Sequence, residues 1–181
     1  MIRLLSAVVG LFVSALAVAA EGNCFPEIIA PSNDPEQFID NQDGTVTDAR
    51  TALTWTVCSI GQVFENETCT GEANVFSWHQ ALGQVQVANA DVLYGQNDWR
   101  LPSVKELGSI VERQCQSPSI DLAVFPNTPS GTYRTSTPDT RAQGSRNAED
   151  RYISFDTGLE FDPNFQGLGY VRLVRNSGLH Q

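Results

Sequence analysis

Apart from its carboxylates, this chain has few side chains suited to proton transfer or nucleophilic attack. There are two histidines, His79 and His180, and four cysteines, Cys24, Cys58, Cys69 and Cys115. A Ser-His-Asp arrangement needs an imidazole held against a nucleophile and oriented by a carboxylate. His79 falls on the polar side of an amphipathic stretch and His180 is next to the last residue, so neither is placed that way. No G-x-S-x-G elbow, H-E-x-x-H pair, phosphate loop or dinucleotide glycine pattern occurs. Carboxylates are plentiful, which leaves glycan hydrolysis by an acid/base pair roughly 5 to 10 Å apart as the enzyme alternative. The reading adopted is that the chain is not an enzyme.

The cysteines carry a different chemistry. All four follow an apolar N-terminal run, and no C-x-x-C pair suggests a metal centre. An even number in an oxidising compartment implies two disulfides, with three pairings open. The favoured pairing is Cys58–Cys69, closing the polar loop from Ser59 to Thr68, with Cys24–Cys115 as the second bridge. Calcium is the metal to weigh at the acidic stretch Asp40 to Asp48, but Ile39 would occupy the first ligand position of an EF-hand loop. No metal and no cofactor is expected.

Two regions could bind a ligand. Trp99 and Arg100 combine a ring that stacks on sugars with a guanidinium that grips carboxylate or sulfate. They lead, however, straight into Leu101-Pro102-Ser103-Val104-Lys105-Glu106-Leu107, where Ser103 and Glu106 have the spacing of a capping box. Trp99, Arg100, Ser103 and Glu106 are therefore read as a structural hub. Val104, Leu107, Val111 and Cys115 would share one face of the helix behind it, with Gly108 on that face admitting a neighbouring backbone. The other region is a pair of long polar loops, Pro138 to Asp150 and Thr157 to Leu168. Irregular domains often keep their binding surface in such loops. Arg141, Arg146, Asn147, Asp162 and Asn164 are the candidate contacts.

The elements that must position these residues are legible in outline. Phe38 to Asp48 predicts a hairpin turning at Asp43-Gly44. Leu53, Trp55 and Val57 alternate with Thr54 and Thr56 like a half-buried strand. Asn66-Glu67-Thr68 is an N-glycosylation acceptor pattern. Ser77 and Gln80 form a second capping-box pair, and Trp78, Ala81, Leu82, Val85, Ala88 and Asn89 follow one face of a helix over 77–90. Tyr133 to Thr137, Arg151 to Asp156 and Tyr170 to Arg175 are strand candidates. The fold class expected is α+β: two helices packed on small antiparallel sheets, with long irregular loops and two disulfides.

Met1-Ile2-Arg3, the apolar run Leu4 to Val18 and the small residues to Ala20 read as a signal peptide over 1–20. The run is shorter than the roughly 20 residues of a bilayer span. An extended leader over 21–36, one domain over 37–176 and a tail over 177–181 complete the organisation. The destination is the periplasm or the cell exterior, with no transmembrane segment after signal cleavage. The net charge of −10 disfavours nucleic acid as a partner.

Taken in order, several of these segments resemble a known family. Phe38-Ile39-Asp40 through Asp43-Gly44-Thr45-Val46-Thr47-Asp48 to Leu53-Thr54-Trp55 is similar to its opening hairpin and strand. Cys58-Ser59 through Cys69-Thr70-Gly71, then Trp78 and Ala81-Leu82, also fit. Asp98 to Leu107 resembles its central motif, and Tyr170-Val171-Arg172-Leu173-Val174-Arg175 its closing strand. The family is the bacterial Lcl C-terminal domain, also the last module of a collagen-like adhesin. The resemblance implies a C-type-lectin-like architecture, more remotely similar to formylglycine-generating enzymes. It also implies adhesion-type binding of sulfated glycans, without a fixed catalytic set. Arg134 stands where the family often has a tryptophan, and the calcium-lectin signature is absent. The expectation is an exported, non-catalytic module that recognises a glycan or an envelope protein. The alternatives are a structural or protein-interaction module of the envelope and, behind it, a carboxylate-based glycan hydrolase.

Overall fold

A hairpin around Asp43-Gly44 opens the main sheet. In a computed structural model that describes residues 23–139, 150–161 and 167–178, two short strands come first, β1 (Asn23–Cys24) and β2 (Phe38–Asp40). They are followed by β3 (Thr45–Asp48), β4 (Leu53–Thr56), β5 (Val63–Glu65) and β6 (Thr68–Thr70). Helices α1 (Trp78–Ala90) and α2 (Val104–Gly108) occupy the middle of the chain. The rest is β7 (Cys115–Gln116), β8 (Thr132–Pro138), β9 (Asp150–Ser154), β10 (Leu159–Phe161) and β11 (Val174–Asn176). The signal-peptide assignment, and with it Arg3, lies outside the described residues.

The main sheet has the order β11-β4-β3-β2, all antiparallel, and a second sheet runs β10-β9-β8. β5 with β6, and β1 with β7, form two-stranded ribbons. The architecture is therefore α+β, two helices among small antiparallel sheets. Both expected disulfides are present, Cys58–Cys69 and Cys24–Cys115. Cys24 and Cys115 are directly opposite in the β1–β7 ribbon, so the second bridge holds the leader onto the body of the fold.

Trp55, Leu107, Ile110, Phe125, Tyr133 and Phe155 belong to one buried cluster. Ala81, Ala88, Trp99, Leu101, Val171 and Leu173 form the other, between α1 and the closing segment. Burying each large side chain of this kind contributes roughly 1.5 to 3 kcal/mol.

Several expectations need correction. β4 is not half-buried, because Thr54 and Thr56 are enclosed together with Leu53 and Trp55. A covered sheet tolerates these threonines because their hydroxyls have partners: Thr54 bonds to Thr47, and Thr56 donates to the Cys58 carbonyl. α2 ends at Gly108 and does not run on to Cys115, which lies in β7. The periodicity that suggested a longer helix survives as burial alone: Val111 and Cys115 are buried from a turn and a strand. Among the described residues no neighbouring backbone comes within 4 Å of where a Cβ on Gly108 would stand. The polar loop from Ser59 to Thr68 contains β5 and the start of β6, joined at Asn66 and Glu67 with φ of 50° and 60°. The loop from Thr157 contains β10, paired with β9. Of Tyr170 to Arg175 only the end is a strand, since Tyr170 makes a single parallel bridge to Tyr133. In the first hairpin the positive φ angles fall at Gln42 and Gly44, not at Asp43. Asp43 instead accepts from the Thr45 N–H and hydroxyl at 2.9 and 2.6 Å.

Candidate functional site

The four hub residues are tied together by packing and hydrogen bonds within the fold. Trp99 is buried, its indole N–H donating to the Leu93 carbonyl at 2.8 Å. Asn89 on α1 brackets its backbone, accepting from Trp99 N at 2.7 Å and donating to Trp99 O at 2.9 Å. Arg100 grips both oxygens of Glu106 at 2.8 Å. Glu106 Oε2 also accepts the Ser103 N–H, while the Ser103 hydroxyl accepts from Glu106 N. Burial opposes ionisation of Glu106, but Arg100 and Ser103 outweigh it and hold the carboxyl below the usual range. With both of these charges satisfied within the fold, the Arg100–Glu106 pair secures the start of α2.

The candidate contacts Arg141, Arg146, Asn147, Asp162 and Asn164 lie outside the described residues, as does His180. What is described is where the chain leaves and re-enters. Segment 140–149 departs after β8 and returns at Asp150, the first residue of β9; segment 162–166 departs from β10 and returns at Gly167. Arg134 joins these roots. Its guanidinium donates to Asp150 at 2.6 Å, to the Phe76 carbonyl at 3.3 Å and to the Gly167 carbonyl. Both members of the Arg134–Asp150 ion pair have fully enclosed side chains. Asp150 also accepts the Thr135 N–H at 3.0 Å. Burial nevertheless pushes its carboxyl up, with Thr135 and Arg134 pulling the other way. Close by, the exposed flank of the sheet carries the Arg151–Glu160 ion pair.

Residues that sequence reasoning did not single out hold much of this frame. Glu112 is buried and accepts from Ser32 N, Asn33 N, Gln114 N and the Ser32 hydroxyl. Burial opposes its charge, but these donors together hold the carboxyl low. Arg172 is enclosed with no carboxylate partner among the described residues. It donates to the carbonyls of Thr56 and Val57 and to the Thr128 hydroxyl, and lies 4.7 Å from the centre of the Phe125 ring. Burial lowers its pKa. The visible signal was an arginine inside the apolar run Val171 to Val174. Such a residue has to be enclosed and hydrogen-bonded.

Of the surface grooves among the described residues, two bear on ligand binding. One, of about 220 Å³, is walled by Phe38, Val46, Val57 and Phe64 and carries the carboxylates Asp40 and Glu67. The other, of about 480 Å³, is lined by Gln62, Thr70, Glu72, Asn127, Pro129 and Tyr170 among others. In the acidic hairpin, Asp40, Asp43 and Asp48 accept hydrogen bonds from their own turns. No group of three or more possible metal ligands occurs among the described residues. His79 is exposed, edge-on to Trp78 at 5.4 Å. No helix among the described residues is long and apolar enough to cross a membrane.

A family model described as the Lcl C-terminal domain matches residues 44–175. No curated protein and no solved structure gives a match to the chain. The match extends from the first hairpin to β11, well over half of the 181 residues, and the chain belongs to this family.

Proposed function

We propose that this Lcl C-terminal domain protein is an exported, non-catalytic binding module of the adhesion type, recognising a glycan or another ligand of the cell envelope. Its ligand contacts the stretches 138–150 and 157–168 through Arg141, Arg146, Asn147, Asp162 and Asn164. The observation that carries this reading is the buried Arg134 junction. One guanidinium bonds to Asp150 at the end of one stretch and to Gly167 in the other, so the two stretches share one rigid root. A shared rigid base reduces the ordering entropy lost when a ligand binds. Two disulfides and family membership support export and a surface role.

Glycan-array binding of the purified protein, with and without calcium, tests the reading. Binding should appear for at least one glycan class and fall tenfold or more in Arg141→Ala/Arg146→Ala. An array with no bound glycan, together with a single stoichiometric envelope protein captured regardless of added sugar, would replace it with the protein-interaction reading. A second reading has one observation of its own, the two carboxylates Asp40 and Glu67 in the 220 Å³ groove. A glycan hydrolase would place its acid/base pair there. Turnover abolished by Asp40→Asn or Glu67→Gln would establish it.

A further inference from the structure

Tyr170 is held unusually firmly for a side chain that lines a surface groove. Its N–H donates to Thr132 O at 2.8 Å and its carbonyl accepts from Arg134 N at 2.9 Å. The ring packs at 40° on Tyr133, centroids 5.4 Å apart. Gly131, with φ of +144°, makes room on one edge, since a Cβ there would come within 3.1 Å of Tyr170 Cε2. The ring is thereby fixed as one wall of the 480 Å³ groove.

Asn127, in the lining of the same groove, takes a left-handed backbone, φ 51°. Its amide Nδ2 donates to Cys69 O at 2.7 Å and to Thr68 Oγ1 at 3.3 Å. Its main-chain carbonyl accepts from Gln62 Nε2 at 3.0 Å. The donors of the Asn127 amide are thus engaged, leaving Oδ1 as a free acceptor among the described residues. The exposed carboxylate of Glu72 is also without a partner among the described residues. Among the described residues no lysine or arginine lines the groove.

An immobilised aromatic ring lining the same groove as two unpartnered acceptors suits a particular ligand chemistry. A pyranose places its apolar C–H face on such a ring and donates hydroxyl or ammonium hydrogens to the acceptors. A sulfated or uronic sugar would set a second negative charge beside Glu72 with no cation of the groove's described lining to balance it. We propose that this groove is a saccharide subsite selective for amino and neutral sugars over sulfated ones. Tyr170 is its stacking platform, and Asn127 Oδ1 and Glu72 receive the sugar's donors. This inference rests on the glycan-binding reading above and deepens it, naming the sugar class and a location within the described fold.

Titration calorimetry of the intact protein with hexamers of glucosamine, of N-acetylglucosamine and of heparin tests it. The glucosamine hexamer should bind most tightly and the heparin hexamer most weakly. Glu72→Gln should weaken the glucosamine hexamer tenfold or more and leave the N-acetylglucosamine hexamer within threefold. Tyr170→Leu, which keeps apolar packing on Tyr133, should weaken both tenfold, with a urea midpoint showing that the variant is folded. Cationic oligomer held by the acidic surface at large would be indifferent to loss of one charge, so unchanged affinity in Glu72→Gln overturns the subsite. Heparin binding tighter than glucosamine binding overturns the selectivity. If sugars bind, and lose affinity in Arg141→Ala/Arg146→Ala but not in the groove variants, the binding function stands and this subsite falls. Failure of every sugar on the array removes both.

Discussion

Arg134 and Asp150 illustrate what a single enclosed residue can do. Neither side chain has access to water, so each depends on the other and on the Thr135 N–H, Phe76 O and Gly167 O around them. Removing one partner leaves the other charge buried, which costs about 3 to 5 kcal/mol; replacing both with apolar residues of similar volume is often close to neutral. Arg134→Met should therefore lower unfolding free energy by about that amount in urea titration, and Arg134→Met/Asp150→Leu should recover much of it. A single variant within about 1 kcal/mol of the parent would contradict the assignment of the pair as the root of both stretches. Arg172 reaches the same end differently. It is enclosed by carbonyl and hydroxyl oxygens and an aromatic ring, ties the closing segment to β4, and has no counter-charge to lose among the described residues.

Among the elements, α2 depends most on its neighbours. Its five residues are far too few to persist as an isolated helix. It stands because Ser103 and Glu106 cap its first turn and Arg100 clamps Glu106 from the preceding arm. Ser103→Ala should cost about 1 kcal/mol. Trp99→Ala, which empties a buried site between α1 and the closing segment, should cost roughly 3 to 5 kcal/mol. Chemical denaturation of the two variants checks both figures. A Trp99→Ala protein that melts like the parent but no longer binds its ligand would move Trp99 from the frame to the site. The same economy of length explains why the expected helix stopped early. After Gly108 the chain must turn so that Glu112 meets Ser32 and Asn33, and Cys115 meets Cys24.

For the whole molecule, acid stability follows from these contacts. The folded pKa values of Glu106 and Glu112 lie below the ordinary value of 4.5. A depressed carboxyl contributes stability that is fully present above its unfolded pKa and lost as pH falls through the folded one. Asp156 acts in the same direction through the hydroxyls of Ser117 and Ser130, whereas the raised carboxyl of Asp150 opposes them. The melting temperature should thus hold steady from neutral pH down to about 5 and decline below 4.5. Glu112→Gln should give a lower plateau and a shallower decline. Equal slopes for parent and variant in a pH series of thermal melts would show that Glu112 does not couple the leader to the fold.

Local chemistry determined a good part of this protein without help from the fold. Capping-box spacing marked the starts of both helices, Asp43-Gly44 marked the first hairpin, and cysteine spacing pointed to the two bridges found. Each of these signals acts within a few residues or through one covalent bond, so sequence spacing carries it. Tertiary structure alone decided where α2 ends, that β4 is covered on both sides, and that Arg134 joins Asp150 to Gly167, 17 positions further along the chain. It also decided that Glu72, Asn127 and Tyr170 face one groove. Those outcomes depend on which distant groups compete for the same carbonyl, carboxylate or apolar surface. That competition is resolved only when the chain is packed, because the free energy of a buried charge or ring is set by neighbours that sequence order does not place beside it.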